Sequence, residues 1–266
     1  MITRSKYLPL ILSVLIMTLA SFSIDAHSPD INSEYQKCVF TDSCGHRMAY
    51  RMLTPATVDS VSSYPLVVFL HGSGERGNDN EKQLLHGGSI FTNPANADKY
   101  PAFVVFPQCS ARSWTADTDP RSFMPGSPDP EESSTEVTLI SMIEDILCRF
   151  PVDRSRIYIV GLSMGGIATY DLACRYPELF AAAVPICGAV NPDRLAEARD
   201  VKFMIFHGDS DEEVPSICSR EAYKALKAAG AEVNYIEFSG IGHECWTEAF
   251  NYPGFLPWLF TQKKDN

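Results

Sequence analysis

The chain of 266 residues is poor in basic side chains. Only 22 lysines and arginines stand against 33 aspartates and glutamates, so the formal net charge is −11. A surface this acidic repels phosphate backbones and anionic headgroups, which argues against nucleic acid and anionic membranes as partners. It sets no such limit on a neutral small-molecule substrate.

Long apolar runs are scarce as well, and the one candidate lies at the start, in MITRSKYLPLILSVLIMTLASFSIDAHS. Arg4 and Lys6 precede an apolar stretch over 7–20, and small residues follow it. This order is typical of a secretory signal peptide, and the stretch is shorter than the ~20 residues of a spanning helix. We expect residues 1–26 to be removed, the protein to be exported to the periplasm or outside the cell, and no stable membrane insertion after cleavage. The alternative is a retained anchor.

We find no internal repeat and no long linker, and we predict one α/β domain over 27–266, a length that can bury a large core. Short runs rich in Val, Ile and Phe, typical of buried strands, alternate with stretches that have apolar residues at helical spacing. This alternation predicts a mostly parallel sheet with helices on both faces, preceded by two antiparallel strands near 34–40 and 46–53. The remaining strands are predicted near 65–72, 101–108, 156–161, 181–188, 201–208 and 233–240, and the helices near 135–150, 164–177, 219–230 and 247–261.

A G-x-S-x-G turn, GLSMG, places Ser163 directly between a predicted strand and a predicted helix. Gly161 and Gly165 leave room for the backbone to fold back sharply, which would hold the serine hydroxyl clear of the sheet. The five-residue pattern alone is weak, because a glycine-rich bend would also match it. Its position at the carboxyl end of a strand, where ligands bind in parallel sheets, makes Ser163 the candidate nucleophile.

A serine nucleophile needs a base and a carboxylate, and both candidates follow later strands. Of the six histidines, His243 lies in a Gly-flanked loop after the last strand, in FSGIGHECW. The acidic turn HGDSDEEVP follows the preceding strand, and Asp211 is our candidate there, with Asp209 as the alternative. His71 and His207 end strands, where packing or backbone hydrogen bonding is the expected role. The chain order Ser163, Asp211, His243 is that of α/β-hydrolases.

A tetrahedral intermediate also needs hydrogen-bond donors for its oxyanion. One candidate is the backbone N–H of Met164, next to the nucleophile. The second is the N–H of Ser73 in the glycine-rich loop FLHGSGERGNDN, with Gly74 as the alternative. The loop lacks the G-K-[ST] sequence of a phosphate-binding loop.

Pocket-wall residues are expected in the loops at the same edge. The segment 111–134 is long, contains four prolines and follows a strand directly, so it is either a solvated loop or a lid with Trp114 pointing inward. The candidates are Glu75, Arg76, Gln108, Trp114 and Trp246. For each of them, the alternative role is structural support of its loop.

The eight cysteines permit disulfides in an exported protein. Cys38 and Cys44 flank a short polar turn and are the local pair that we predict. Three others lie in apolar stretches, where buried free thiols are equally expected. A zinc site at Cys38, Cys44 and His46 lacks a fourth ligand at suitable spacing.

Taken together, LHGSGERGNDN, PQC with a later Trp, GLSMGG, AAAVPICG, FHGDSDEEVP and GIGHECW resemble the exported bacterial serine hydrolases of the phospholipase/carboxylesterase and dienelactone-hydrolase-like group. The resemblance covers about residues 60–262 and implies an eight-stranded α/β-hydrolase fold without a metal or an organic cofactor. It matches Ser163, Asp211 and His243 to the triad. Dienelactone hydrolases carry a cysteine nucleophile, so Ser163 favours ester hydrolysis. Members of the group include predicted peptidases related to prolyl oligopeptidase and polysaccharide-linked esterases.

These features predict a serine carboxylesterase that forms an acyl-enzyme. By analogy of fold and compartment, its substrate would be a small-molecule or carbohydrate ester with a short acyl or feruloyl group. A serine peptidase would use the same triad, although prolyl-oligopeptidase relatives usually have a large gating domain, which this chain lacks. An acyltransferase would also share the triad. A non-catalytic binding protein of this fold would be expected to have a broken one.

Overall fold

The computed structural model of the protein describes residues 31–59, 61–116 and 120–264. The predicted signal peptide, 1–26, lies outside the described residues. Eight strands form one sheet, as the resemblance implied. They are β1 (Gln36–Thr41), β2 (Arg47–Leu53), β3 (Tyr64–Leu70), β4 (Phe103–Gln108), β5 (Val152–Leu162), β6 (Ala182–Ile186), β7 (Lys202–Gly208) and β8 (Val233–Phe238).

The strand order across the sheet is β1-β2-β4-β3-β5-β6-β7-β8. The pairs β1–β2 and β2–β4 are antiparallel, and all later pairs are parallel. This confirms the predicted antiparallel leading strands. The chain passes from β3 to β4 on one side and then returns to β5 on the other side of β3. A crevice opens at such a reversal, at the carboxyl ends of β3 and β5, and ligands bind there in open α/β sheets.

Helices cover both faces of the sheet, as the alternating sequence pattern predicts. Along β3, Leu66, Val68 and Leu70 pack into one core, whereas Val67 and Phe69 pack into the other. This is the period-two alternation of a strand buried on both faces. The helices are α1 (Ile31–Glu34), α2 (Gly88–Thr92), α3 (Pro94–Ala97), α4 (Ser134–Arg149), α5 (Met164–Arg175), α6 (Ile217–Ala228), α7 (Trp246–Asn251) and α8 (Phe255–Thr261).

The last helical stretch, predicted as one element with interruptions, consists of two separate helices. α7 ends before Pro253, and α8 begins after Gly254. Pro257 lies in the first turn of α8, where a backbone N–H has no intrahelical partner and a proline is tolerated. Within the described residues, no helix combines the length and the apolar composition that a membrane crossing requires.

The predicted disulfide between Cys38 and Cys44 is wrong, because both thiols are free. Cys38 lies in β1 opposite Tyr50, with its side chain against the second strand. Cys44 lies in an exposed turn that Asp42 organises by accepting hydrogen bonds from the backbone N–H groups of Cys44, at 2.9 Å, and His46, at 2.8 Å. The turn is thus closed by a side-chain acceptor and needs no covalent link.

A buried acidic pair joins α4 to α5. Ser133 and Glu136 form a capping box at the start of α4. Burial, followed by a hydrogen bond with Asp171, raises the pKa of Glu136 to about 9. The raised pKa favours the protonated form of Glu136 next to the Asp171 carboxylate, which pairs with Arg175, at 2.6 Å, and with Arg194. Burial opposes ionisation of Asp171, but these hydrogen bonds and the charge of Arg194 lower its pKa.

Candidate active site

Ser163 occupies a sharp turn between β5 and α5. Its backbone has φ 53° and ψ −118°, a left-handed conformation that costs energy for a non-glycine residue. The backbone N–H of Ser163 donates to the Ile186 carbonyl at 2.9 Å. A Cβ at Gly161 would lie 2.3 Å from the Gly165 carbonyl oxygen, and one at Gly165 would lie 2.1 Å from the Leu70 carbonyl oxygen. Only glycine fits at both positions, which explains the pattern around the serine.

The structure brings Ser163, His243 and Asp211 into one chain of hydrogen bonds. His243 Nε2 lies 2.8 Å from Ser163 Oγ, and His243 Nδ1 lies 2.8 Å from Asp211 Oδ2. The three residues come from separate loops, which follow β5, β8 and β7. An ionised carboxylate can only accept, so Nδ1 carries the proton and Nε2 presents its lone pair to the serine hydroxyl. This is the arrangement that a general base requires.

Asp211, rather than Asp209, is the carboxylate that contacts His243. Asp211 Oδ1 accepts from the backbone N–H groups of Glu213 and Val214, each at 2.9 Å, and its Oδ2 accepts from His243. Asp209 instead accepts from the backbone N–H of Gly240 at 2.7 Å. That bond is the largest cause of its lowered pKa, and it closes the turn after β8.

His207 supports Asp211, a role that sequence reasoning missed. Its Nε2–H donates to the Val214 carbonyl at 2.8 Å and lies 3.2 Å from Asp211 Oδ2, while its Nδ1 accepts from the Ser219 hydroxyl at 2.7 Å. Burial lowers the pKa of His207, which keeps the imidazole neutral. The expected packing and backbone roles are present. In the sequence, the only sign of the contact with Asp211 was the four-residue spacing between His207 and Asp211. Outside a helix, such a spacing does not indicate that two side chains meet.

His71 holds the loop after β3 in place. The backbone N–H of Cys109 donates to His71 Nε2 at 3.0 Å, so His71 Nδ1 carries the proton and donates to the Gly72 carbonyl at 2.6 Å. Burial lowers the pKa of His71 to about 4, in agreement with a neutral ring. The Trp114 indole N–H donates to the His71 carbonyl at 3.0 Å. These contacts join the loop to the end of β4 and to the segment after it.

The two predicted oxyanion donors lie on either side of the nucleophile. Met164 is the first residue of α5, where the backbone N–H has no intrahelical carbonyl to bind and the helix dipole is positive. On the other side, a methyl group built on Gly72 would lie 3.6 Å from Ser163 Cβ. The next residue, Ser73, therefore starts its one-turn helix beside the serine. The space around Gly74, the alternative, is open.

The predicted pocket-wall residues divide into two groups. Trp114 is fully buried against His71, and Gln108, also buried, donates to the Glu75 carbonyl at 3.1 Å and accepts from the Asn80 N–H at 2.7 Å. Their hydrogen bonds and ring contacts are with the surrounding loops, so the structure favours loop support, the alternative role, for both residues. Arg76 is exposed and donates to backbone carbonyls of the surrounding loops, including that of Ser73 at 2.7 Å.

Glu75 and Trp246 do lie near the triad. The Trp246 ring packs edge-on against His243, with the ring centroids 5.8 Å apart, and it also contacts the ring of His86 at 5.2 Å. Glu75 Oε1 lies 3.6 Å from His86 Nε2. These residues line the side of the site next to the base.

The segment 111–134 packs over the start of α5, except for 117–119, which lie outside the described residues. Thr115, Phe123 and Pro130 of this segment line a cavity of about 20 Å³ together with Ile167 and Asn191. The backbone N–H of Ile167 donates to the Ser163 carbonyl at 3.0 Å, so this cavity begins one helical turn from the nucleophile. A volume of this size holds about one water molecule.

Two groups of side chains in the described residues have the composition of a metal site. One is Asp42, Cys44 and His46 at the exposed turn after β1, and the other joins Cys187 to Asp211 and His243. The first group shares Cys44 and His46 with the zinc site that the ligand spacing argued against, and has Asp42 in place of Cys38. The second consists of triad members plus a buried thiol whose pKa is raised, first by burial and then by a hydrogen bond with Cys245.

Comparison with known proteins confirms the family resemblance. The family model described as Phospholipase/Carboxylesterase matches residues 58–252. The chain is 26% identical over 204 residues to carboxylesterase SOBER1 of Arabidopsis thaliana, covering 70% of this chain and 86% of that protein. It is 26% identical over 136 residues to feruloyl esterase B of Neurospora crassa, covering 50% of this chain and 42% of that protein. The chain spans 28% to 46% of the length of three of its curated relatives.

Solved structures confirm the α/β-hydrolase fold. A thermostable esterase of known crystal structure superposes with a TM-score of 0.80 at 33% identity, over 88% of this chain and 64% of that one. A ferulic acid esterase of Anaeromyces mucronatus superposes with a TM-score of 0.63 at 16% identity, over 86% of this chain and 90% of that one. The latter likeness shows the fold alone.

Proposed function

The chain belongs to the phospholipase/carboxylesterase family, and we propose that it is a serine carboxylesterase. The observation that carries this proposal is the hydrogen-bonded chain from Ser163 through His243 to Asp211. Carboxylesterases and feruloyl esterases among the relatives support the same reaction class.

In the first half of the proposed reaction, Ser163 Oγ attacks the ester carbonyl while His243 Nε2 takes the hydroxyl proton. Asp211 accepts from His243 Nδ1 and stabilises the imidazolium that forms. The backbone N–H groups of Met164 and Ser73 bind the oxyanion of the tetrahedral intermediate. Both N–H groups are fixed in the backbone, so they need to reorganise little as negative charge develops on the oxyanion.

In the second half, His243 returns its proton to the leaving alcohol, which departs and leaves an acyl-enzyme on Ser163. His243 then takes a proton from water, which attacks the acyl carbon. His243 returns this proton to Ser163 Oγ as the bond between Oγ and the acyl carbon breaks and the acid leaves. As substrates we propose short-acyl or feruloyl esters of carbohydrates, because relatives are named feruloyl esterases. No step requires a metal or an organic cofactor.

The decisive experiment measures hydrolysis of p-nitrophenyl acetate by the wild type and by Ser163→Ala. We expect kcat to fall by about 10⁴-fold or more, because the nucleophile is lost. A fluorophosphonate probe should label Ser163 in the wild type and leave the variant unlabelled. Unchanged turnover in the variant, or no wild-type turnover on acetyl, butyryl, feruloyl and long-chain esters, would contradict the proposal.

An amide panel tests the peptidase alternative. Acylaminoacyl peptidases share the fold at 18–20% identity, and this chain covers only 42% of their length. We expect ester turnover to exceed turnover of the matched acyl-amino-acid anilides. The reverse ranking would make the peptidase the better assignment.

We also propose that the chain is exported after cleavage near residues 23–26. Expression of the full-length sequence should yield a protein in the periplasm or medium that lacks this N-terminal segment. Recovery of the unprocessed chain in the membrane fraction would favour the retained anchor.

A further inference from the structure

One buried carboxyl group near the nucleophile has no role in the triad. Glu75 lies in the single-turn helix Ser73–Glu75 after β3, and its side chain is 8% exposed. A methyl group built on Gly72 would lie 3.2 Å from Glu75 Oε2 and 3.6 Å from Ser163 Cβ. The Glu75 carboxyl group therefore lies no more than about 7 Å from Ser163 Cβ.

The Glu75 carboxyl group has little to bind. Its Oε1 lies 3.6 Å from His86 Nε2, which is longer than a hydrogen bond. In the part of the chain that the structure describes, no other N–H or O–H group donates to it. Neither Glu75 oxygen is among the fully buried side-chain atoms that lack a partner in the described residues, so the carboxyl group meets solvent. A carboxyl group that lies beside a nucleophile, reaches solvent and has no protein donor has acceptor capacity for a ligand.

The neighbouring rings show which part of the ester Glu75 would face. His243 Nε2 delivers a proton to the leaving alcohol oxygen, so the alcohol must lie beside His243. Trp246 packs against His243, and His86 packs against Trp246. Both rings are partly exposed, and His86 lies next to the Glu75 carboxyl group. The wall formed by Trp246 and His86 therefore borders the alcohol, and the Glu75 carboxyl group lies at its His86 end.

An acceptor beside exposed ring faces suits an alcohol that carries further hydroxyl groups. The hydroxyl donates to the carboxyl group, and the C–H face of the alcohol packs on the rings. We propose that Glu75 is a specificity-determining residue that accepts a hydrogen bond from a second hydroxyl of the leaving alcohol, so that esters of polyols are preferred over esters of simple alcohols. This inference rests on the proposed function and names the side of the substrate that the site selects.

The test compares two acetate esters that differ in the alcohol, glycerol monoacetate and ethyl acetate, with p-nitrophenyl acetate as the reference. For Glu75→Ala we expect kcat/KM on glycerol monoacetate to fall by about 10- to 100-fold, the effect of losing a hydrogen bond to a charged group. The values for ethyl acetate and p-nitrophenyl acetate should stay within about threefold, because neither alcohol has a second donor. Glu75→Gln keeps an acceptor oxygen and should lose less.

Glu213→Ala is the matched control. Its exposed carboxylate lies 3.7 Å from His243 Nε2, so the variant removes a negative charge near the base without removing the proposed acceptor. It should change all three esters by the same factor. Glu75→Gln serves if Glu75→Ala fails to fold, as judged by thermal unfolding.

Equal losses on all three esters in both Glu75 variants would overturn the inference, because a merely structural role predicts that pattern. No loss on glycerol monoacetate would overturn it as well. Wild-type turnover of p-nitrophenyl acetate that depends on Ser163, without a preference for the polyol ester, would contradict this inference and leave the proposed function intact. Absence of wild-type turnover on every ester would contradict both.

Discussion

Two buried carboxyl groups, Asp211 and Glu75, flank the candidate nucleophile, and their surroundings differ sharply. The Asp211 side chain is fully buried, and the Glu75 side chain is 8% exposed. Asp211 accepts three hydrogen bonds, from two backbone N–H groups and from His243. The Glu75 carboxyl group has one contact in the described residues, with His86 at 3.6 Å. The protein thus fills the acceptor positions of Asp211 and leaves those of Glu75 open.

The backbone explains the difference. Asp211 begins a turn whose next N–H groups point back at its own carboxylate, so the loop itself satisfies the group and fixes its orientation toward His243. Glu75 ends a one-turn helix, and no backbone N–H of the described residues donates to its carboxyl group. A carboxylate whose acceptor positions are filled by the protein serves every substrate in the same way. A carboxylate with open acceptor positions discriminates between substrates that can and cannot donate a hydrogen bond to it.

The strongest test of this comparison replaces Asp211, the carboxylate whose acceptor positions are filled. Asp211→Asn should lower kcat by about 10⁴-fold, because the amide cannot hold His243 in the tautomer that accepts the serine proton. Unlike Glu75→Ala, the loss should be the same for glycerol monoacetate, ethyl acetate and p-nitrophenyl acetate. Steady-state kinetics on the three esters measures it.

Asp209→Asn is the control for that variant. Asp209 bonds to Gly240 and not to His243, so we expect kcat within about threefold of the wild type and a small loss of stability, typical of a surface turn. Inactivation by Asp209→Asn with an active Asp211→Asn would reverse the assignment of the acid.

A smaller effect is expected from His207→Gln, which disturbs the surroundings of the Asp211 carboxylate. Loss of the contact at 3.2 Å lets the Asp211 side chain shift, and we expect kcat to fall roughly tenfold at nearly constant KM. Ser219→Ala removes the hydroxyl on the far side of the His207 ring without touching Asp211. If both variants lowered kcat equally, the effect would be general packing and His207 would have no positioning role.

The smallest effect concerns a third buried carboxyl group, Glu136, and appears only in stability. Its pKa is raised from 4.5 to about 9, so its stabilising contribution is fully present below pH 4.5 and is lost as pH rises through about 9. Glu136→Gln cannot ionise. Between pH 5 and 9, the Tm of the wild type should fall relative to that of the variant, by at most about 3 °C per pH unit.

Differential scanning calorimetry of both proteins at several pH values measures this difference. If the two Tm curves ran parallel, Glu136 would keep the same charge across the pH range, in contradiction to its raised pKa.

Sequence reasoning predicted the mostly parallel sheet and the three triad residues, because each depends on local patterns. Strand runs, the glycines around Ser163 and loops at strand ends are all visible without tertiary structure. For Trp114 and Gln108 it left two roles open, pocket wall and loop support, and the structure favours loop support. Whether a polar loop residue faces a substrate or its own loop depends on contacts with distant residues, such as His71 for Trp114.

By itself, the sequence determined where the candidate nucleophile, the candidate base and the acidic turn lie. Steric demands at Gly161 and Gly165 and the ends of strands are properties of short segments. Only the tertiary structure decided between Asp211 and Asp209, since the choice depends on which carboxylate the β8 loop brings within 2.8 Å of the His243 ring. It also decided that the Glu75 carboxyl group lies near Ser163 and that none of the described residues donates a hydrogen bond to it. Burial and hydrogen-bond saturation are set by atoms far apart in the chain, and no local pattern records them.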